Sequence, residues 1–520
     1  MPILGSIIKK AFELRNLPVE KQRRKLNPVT AQKRVLVKLL QKSQFTAFGE
    51  HYKFSKMLNT PNVQNSFENT VPVHDYQSMY KRWWYRALNG ESYVAWPGRV
   101  RYFALSSGTS DASSKYIPIT NEMLRGIKQV TLRQLISMTK FDFPLDFYEK
   151  GILMIGGSTH LQYNGTYYEG DLSGITAGNI PFWFQHFYRP GRRISRTADW
   201  ATKLNEMVKK APSWDIGIIV GVPAWVQILM ERIISEYNVK TIHDIWPNLS
   251  VYVHSGVSFK PYVKSFEKLV AKPLLYNESY LASEGYIAFQ NGKNTKGMEL
   301  VLDNGIYYEF VPFNDTNFDD DGNLCENPQT LTIGDIEEGI DYAMLMSTNA
   351  GAWRYLLGDT IKFVDKDKSE IIITGRTNHF ISICGEHLSQ ENMNRAIELL
   401  QEDLDIKIKE FTIAGVRHGN LFGHRWYIGT DDPLEGEQAA KIIDEHLKNL
   451  NDDYRVERME AIKEVWVTVL PSKVFYHYMK VSGKEGSANK FPRVLKNSRI
   501  DEWNAYLEKH NLLIKKPVLI

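Results

Sequence analysis

The sequence predicts an α/β protein of two parts, a large N-terminal α/β domain over residues 1–374 and a small C-terminal α+β domain over 375–520. Three observations lead there. Strand-like and helical runs alternate from about residue 95 to 350, the signature of layered α/β folds. The alternating run 100–105 leads into a hydroxyl- and glycine-rich loop closed by a lysine, Ser106-Ser107-Gly108-Thr109-Ser110-Asp111-Ala112-Ser113-Ser114-Lys115. Small residues let backbone N–H groups turn inward, and hydroxyls add donors, which is what a loop must offer to hold phosphate oxygens. Beyond Gly375 the pattern changes to short strands and amphipathic helices.

Taken in order, residues 1–50 read as a helical segment, with Ile7, Ala11 and Leu14 on one face and Lys9, Lys10, Arg23, Arg24 and Lys25 elsewhere. A helical pair packed on a larger body, its bases solvated, accounts for this, and a membrane-surface role is the alternative. After the hydroxyl loop, Pro118-Ile119-Thr120 opens a helix whose stripe is Met123, Ile127 and Val130. Runs 151–157, 215–221, 251–255 and 273–279 read as buried strands, with a helix at 222–237. The stretch 298–313 reads as a hairpin turning on Asp303-Asn304-Gly305. Past a joint at Thr374-Gly375-Arg376, strands are expected at 411–416, 425–429 and 464–470, and helices at 391–400 and 438–450.

Composition narrows the function. Hydrophobic residues at 43% and aromatic residues at 12% suit a packed globular chain. A net charge of +4 over 520 residues gives no case for nucleic acid as a partner. Cys325 and Cys384 alone build no disulfide framework. The first apolar run ends at Lys9-Lys10 without a small-residue cleavage site, and no segment approaches the ~20 apolar residues of a membrane span. A soluble cytoplasmic protein with no membrane partner is the expectation. Walker A, Gly-x-Gly-x-x-Gly, His-Glu-x-x-His and Gly-x-Ser-x-Gly motifs are missing. The acidic run Asp319-Asp320-Asp321-Gly322 imitates a calcium loop, but Pro328 stands where the bidentate Glu belongs.

Five segments agree with one another: the Ser106–Lys115 loop; His254-Ser255-Gly256-Val257 leading to Tyr262; Tyr280-Leu281-Ala282-Ser283-Glu284-Gly285; Trp353-Arg354-Tyr355-Leu356-Leu357-Gly358-Asp359 with Gly375-Arg376-Thr377-Asn378; and Asn489-Lys490-Phe491-Pro492-Arg493. In this order they resemble the adenylate-forming superfamily. Within it they are most similar to the Gretchen Hagen (auxin-responsive promoter) family of acyl-acid amido synthetases, over essentially the whole chain.

That resemblance implies ATP-dependent activation of a carboxylic acid to an acyl adenylate, then transfer to an amine, with an amino acid as the expected donor of that amine, in a cleft between a large domain and a mobile small one. It implies roles residue by residue. Ser106, Ser107 and Thr109 would hold phosphates, and Tyr262 would stack on adenine, although a plain packing tyrosine would look the same. Glu284, with Ser283 beside it, would ligate Mg²⁺ at the nucleotide. Asp359 would accept the ribose hydroxyls, and Arg376 would reach ribose or phosphate from the hinge. Lys490 would be the catalytic cation, with Lys484 of Ser482-Gly483-Lys484 as its competitor. Because charge builds on phosphate oxygens, such a site needs placed donors and cations more than a nucleophile. Asp111-Ala112 departs from the glycine common in the family loop. An acyl-CoA ligase sharing the first half-reaction and a silent binding protein are the alternatives. Trp183, Phe184 and Phe187 could line an acyl pocket, and core packing explains them equally well.

Overall fold

Continuous apolar runs bounded by turns form strands buried on both faces, and here they assemble the central sheet of the first of two units. The computed structural model describes residues 3–23, 27–106, 115–255, 259, 262–319, 322–377, 388, 390–418, 421–451, 454–455, 458, 462–483, 491–495 and 498–512. Unit one comprises Met1–Gly256, Val270–Asn317 and Glu326–Ile373, and unit two comprises Val257–Leu269, Phe318–Cys325 and Thr374–Ile520. Among the described residues no helix is long and apolar enough to cross a membrane.

The eleven-stranded sheet of unit one has a parallel and an antiparallel half. The parallel half runs Tyr188–Arg189, Gly151–Met154, Ile216–Gly221, Val251–Ser255 and Leu275–Ala282. Helix Pro223–Glu236 follows one of these strands; Pro223 presets its first turn, and it buries Val226, Leu229, Met230 and Ile233. At Leu275–Ala282 the sense reverses. Gly285–Phe289, Met298–Leu300, Glu370–Arg376, Tyr355–Asp365, Asp341–Thr348 and Ile306–Pro312 complete the sheet in that spatial order. A second sheet, of four strands, contains Tyr102–Ser106 and Lys115–Ile119. Helix Pro28–Ser43, capped by the Asn27 side chain, buries Leu36, Leu39 and Leu40 in an aromatic-rich core with Phe48, Phe67 and Trp353.

Three expectations change. The residues 298–313 are a turn but not a hairpin: Met298–Leu300 pairs with Gly285–Phe289 and with Glu370–Arg376, so both its edges are taken. Ile306–Pro312 therefore pairs with Asp341–Thr348, although Gly305 does turn the chain at φ +87°. The run 151–157 stops at Met154, where Gly156 and Gly157 bend the chain. Finally, Ser106 pairs antiparallel with Lys115, so the hydroxyl loop joins strand to strand. The helix Asn121–Ser137 starts only after Lys115–Ile119, capped by Thr120.

In unit two, strands Ile462–Leu470, Leu421–Thr430, Ile408–His418 and Val494–Leu495 form a four-stranded sheet. Helices Gln390–Leu404 and Gly436–Leu450 supply Met393, Ile397, Leu400, Ile443 and Leu447 to its core. A hairpin followed by a helical crossover to a parallel strand makes this an α+β layer.

Candidate active site

In mostly parallel sheets ligands collect at the carboxyl ends of the strands, most often where strand order or sense switches. That point in unit one is the end of Leu275–Ala282. Ala282 pairs with Gly285, so Ser283 and Glu284 form a two-residue hairpin turn. Glu284 is only 7% exposed. Gly285 sits at φ +150°, and a Cβ there would lie 2.7 Å from Ile306, so the turn tolerates no side chain at that position.

Asp359 is brought to the same strand from 79 residues away: the Tyr280 hydroxyl donates to Asp359 Oδ2 at 2.5 Å. A carboxylate offers about four lone-pair directions, and this bond fixes the orientation of Asp359. The backbone aims it too. Opposite Asp341–Thr348 the register slips, with Ala343 facing Thr360 and Leu345 facing Leu356. Leu357, Gly358 and Asp359 thus bulge where one residue would fit, with Gly358 at φ +88°. Such bulges re-aim side chains beside functional sites.

Five residues earlier Arg354 is locked in place. Its guanidinium contacts both oxygens of Glu309 at 3.0 and 3.1 Å, the carbonyls of Glu68 and Val71 at 2.7 Å each, and Thr330 Oγ1 at 2.9 Å. Burial pushes the Glu309 carboxyl up to about 7, against the pull of the Arg354 charge. His74 Nδ1 donates to the Trp353 carbonyl at 2.8 Å, and burial lowers its pKa to about 4.

The loop after Gly151–Met154 is braced as well. Lys203, 3% exposed, donates to the carbonyls of Gly156 and Gly157 at 2.7 and 2.9 Å. Burial lowers its pKa to about 8, opposed by Asp171. Gly157 N–H donates to Ser173 Oγ at 2.7 Å.

The remaining assignments fall as follows. Ser106 ends its strand, and Lys115 lies 5.4 Å over the Tyr76 ring. Ser107, Thr109, Lys484 and Lys490 lie outside the described residues. Arg376 ends the strand Glu370–Arg376, half-buried. Tyr262 belongs to unit two. It is 2% exposed and donates to Glu410 Oε1 at 3.1 Å, while Arg493 meets Glu410 Oε2 at 2.6 Å. Phe184 packs on the cluster of Met138, Phe147 and Tyr148. No group of three or more His, Cys, Asp or Glu placed to hold a metal ion occurs among the described residues. Sequence reading missed Tyr280 as the residue that orients Asp359, although it lies in a segment singled out; Lys203 carried no signal.

Comparison with known proteins covers the same segments. Models of the GH3 family N-terminal domain match residues 20–165 and 131–274, the central domain 299–370, and the C-terminal domain 391–499. Indole-3-acetic acid-amido synthetase GH3.4 of Arabidopsis thaliana is 26% identical over 268 residues, 48% of this chain and 44% of that protein. Jasmonoyl--L-amino acid synthetase JAR6 of Nicotiana attenuata is 22% identical over 427 residues, 68% of this chain and 71% of that protein. The chain thus spans less than half the length of the first of these relatives. Among solved structures, GH3.15 acyl acid amido synthetase superposes with a TM-score of 0.75 at 16% identity, covering 96% of each chain. A 2-hydroxyisobutyryl-CoA ligase in the postadenylation state superposes at 0.60 and 12% identity, covering 93% and 91%. These likenesses show a shared fold.

Proposed function

The chain belongs to the GH3 family, and from that premise we propose that it is a ligase joining a carboxylic acid to the amine of an amino acid, with ATP consumed to AMP and pyrophosphate. The observation that carries the reading is the hydrogen bond from Tyr280 to Asp359. It draws the Tyr280-to-Glu284 and Tyr355-to-Asp359 segments, separated in sequence, onto one strand end.

In the first half-reaction a carboxylate oxygen of the acid attacks the α-phosphorus and pyrophosphate leaves. In the second, the amine attacks the acyl carbon, AMP leaves, and the amine sheds a proton. Asp359, oriented by Tyr280, accepts the ribose hydroxyls of ATP and fixes the α-phosphorus relative to the acid. The hydroxyl loop, with Ser106, Ser107 and Thr109, holds the phosphates. Glu284 fits Mg²⁺, which takes one or two carboxylates and completes its shell with water and phosphate oxygens. When bound there with Ser283 alongside, the ion would neutralise developing phosphate charge. Arg376 reaches ribose or phosphate, and Lys490 bridges the attacking carboxylate and the α-phosphate. Tyr262 stacks on adenine only if its ring becomes uncovered. The setting is a reducing cytoplasm, as the two cysteines suggest.

Lys490→Ala tests the division of labour. It should depress formation of the adenylate far more than aminolysis of a preformed adenylate; equal losses in both half-reactions would refute the assignment. Product analysis with an amino acid and coenzyme A both present separates amide from thioester formation, and a thioester would favour the acyl-CoA ligase reading.

A further inference from the structure

The positive charge of this protein is concentrated at one end. Residues 1–25 hold seven Lys and Arg against Glu13 and Glu20, a side-chain balance of +5, so the other 495 residues carry −1 of the total +4. Most of this segment is the helix Ile3–Arg23.

One face of that helix is fastened to unit one. Gly5 is buried, and a Cβ there would lie 2.0 Å from the Leu145 carbonyl oxygen. Ile8 and Phe12 pack on Met138, Phe147 and Tyr148, and Lys9 lies 5.9 Å over the Tyr148 ring. The opposite face is apolar as well, yet it faces outward. Leu4, Ile7 and Leu14 are 51%, 58% and 70% exposed, and Ala11 is exposed between them. The spacing 4, 7, 11, 14 is a single helical stripe. At 100° per residue, Lys10 and Arg15 border it on its two sides, both exposed, and Glu13 points well away from it.

Single exposed apolar residues need no explanation. Four in helical register, edged by bases, make the pattern of a helix that lies in a lipid headgroup layer. The geometry points to a docking site for an anionic membrane surface on the outward stripe of helix Ile3–Arg23. This departs from the sequence expectation of no membrane partner. Charge selects the occupant: a second copy docking here would set one +5 segment against another, whereas an anionic leaflet attracts both. The stripe also precedes residue 20, where the match to the GH3 family N-terminal domain begins. Docking is reversible, because a short stripe and a few bases give one weak anchor.

The test is cosedimentation of the full chain with vesicles of phosphatidylcholine alone or with roughly one-third phosphatidylserine. The protein should sediment with the anionic vesicles only, and less as salt screens the bases. The pairs Ile7→Asp with Leu14→Asp, and Lys10→Glu with Arg15→Glu, should each lower partitioning at least about tenfold, with melting temperature and ATP binding unchanged. Wild-type protein that ignores anionic vesicles, or variants that sediment as wild type does, would overturn the proposal. So would a dimer in analytical ultracentrifugation that Ile7→Asp with Leu14→Asp dissociates, since the stripe would then belong to a second copy.

Discussion

Among the described residues, each unit buries an arginine–glutamate pair next to a segment that the sequence marks as functional, and the two pairs are built differently. In unit one, Arg354 and Glu309 have side chains 6% and 1% exposed. Arg354 also takes the carbonyls of Glu68 and Val71, at the carboxyl end of helix Val63–Thr70. It therefore closes a helix end, where orphan carbonyls and the dipole favour a cation. In unit two, Arg493 and Glu410 are 6% and 5% exposed. There Arg493 takes the Phe411 carbonyl at 3.0 Å and stacks 4.4 Å from the Phe411 ring, while Tyr262 closes the other Glu410 oxygen. Burial alone would lower the Arg493 pKa, but the Glu410 charge outweighs it and raises it. The first pair ties a strand to a distant helix; the second pins a chain segment back onto its own sheet. In both, the conspicuous arginine serves as scaffold, and the proposed chemistry falls to a neighbour in sequence: Asp359 five residues on, or Lys490 three residues before.

Removing one partner should expose that difference. Arg354→Met leaves the Glu309 charge buried and two carbonyls bare, and should cost about 3–5 kcal/mol in denaturant unfolding. Restoring neutrality with Glu309→Leu should recover only part, because the helix carbonyls stay unpaired. Full recovery would mean that the ion pair, not the helix closure, matters. His74 adds a pH arm to unit one. Burial holds its folded pKa at about 4, below the ordinary histidine value of 6.5. The native state thus binds fewer protons than the unfolded chain between those values. Stability should fall as pH drops from about 6.5 to 4, by up to about 3 kcal/mol, and His74→Gln should flatten that slope. In unit two Arg493→Met should cost less, about 2–3 kcal/mol, since Glu410 keeps the Tyr262 hydroxyl. Pairing it with Glu410→Leu should recover most of that loss. Smallest is Tyr280→Phe, which frees Asp359 from its orienting bond. It should raise KM for ATP roughly tenfold with little change in melting temperature; a large loss of stability instead would make Tyr280 a core residue only.

Much of this arrangement was legible in the sequence, for local reasons. The strands Ile216–Gly221 and Val251–Ser255 are apolar runs cut by turns, and helix Pro223–Glu236 begins at a proline. Glu284 and Asp359 stood out as candidates because each lies beside a glycine in a recognisable segment. What escaped notice depends on pairing across long separations. Nothing near Asp303-Asn304-Gly305 says that Met298–Leu300 has both edges occupied. Nothing near Ser106 says that Lys115–Ile119 returns beside it before the helix starts. The hold of Tyr280 on Asp359 and of Lys203 on Gly156 and Gly157 likewise exists only once the sheet has formed.

The central claim is that the strand end carrying Glu284 and Asp359 serves an acid-activating nucleotide site. ATP–pyrophosphate exchange over a panel of carboxylic acids, without amine or coenzyme A, tests it most directly. The account predicts exchange that depends on the acid and is abolished by Asp359→Ala in a folded protein. ATP binding without exchange for any acid, or exchange that Asp359→Ala leaves intact, would contradict it.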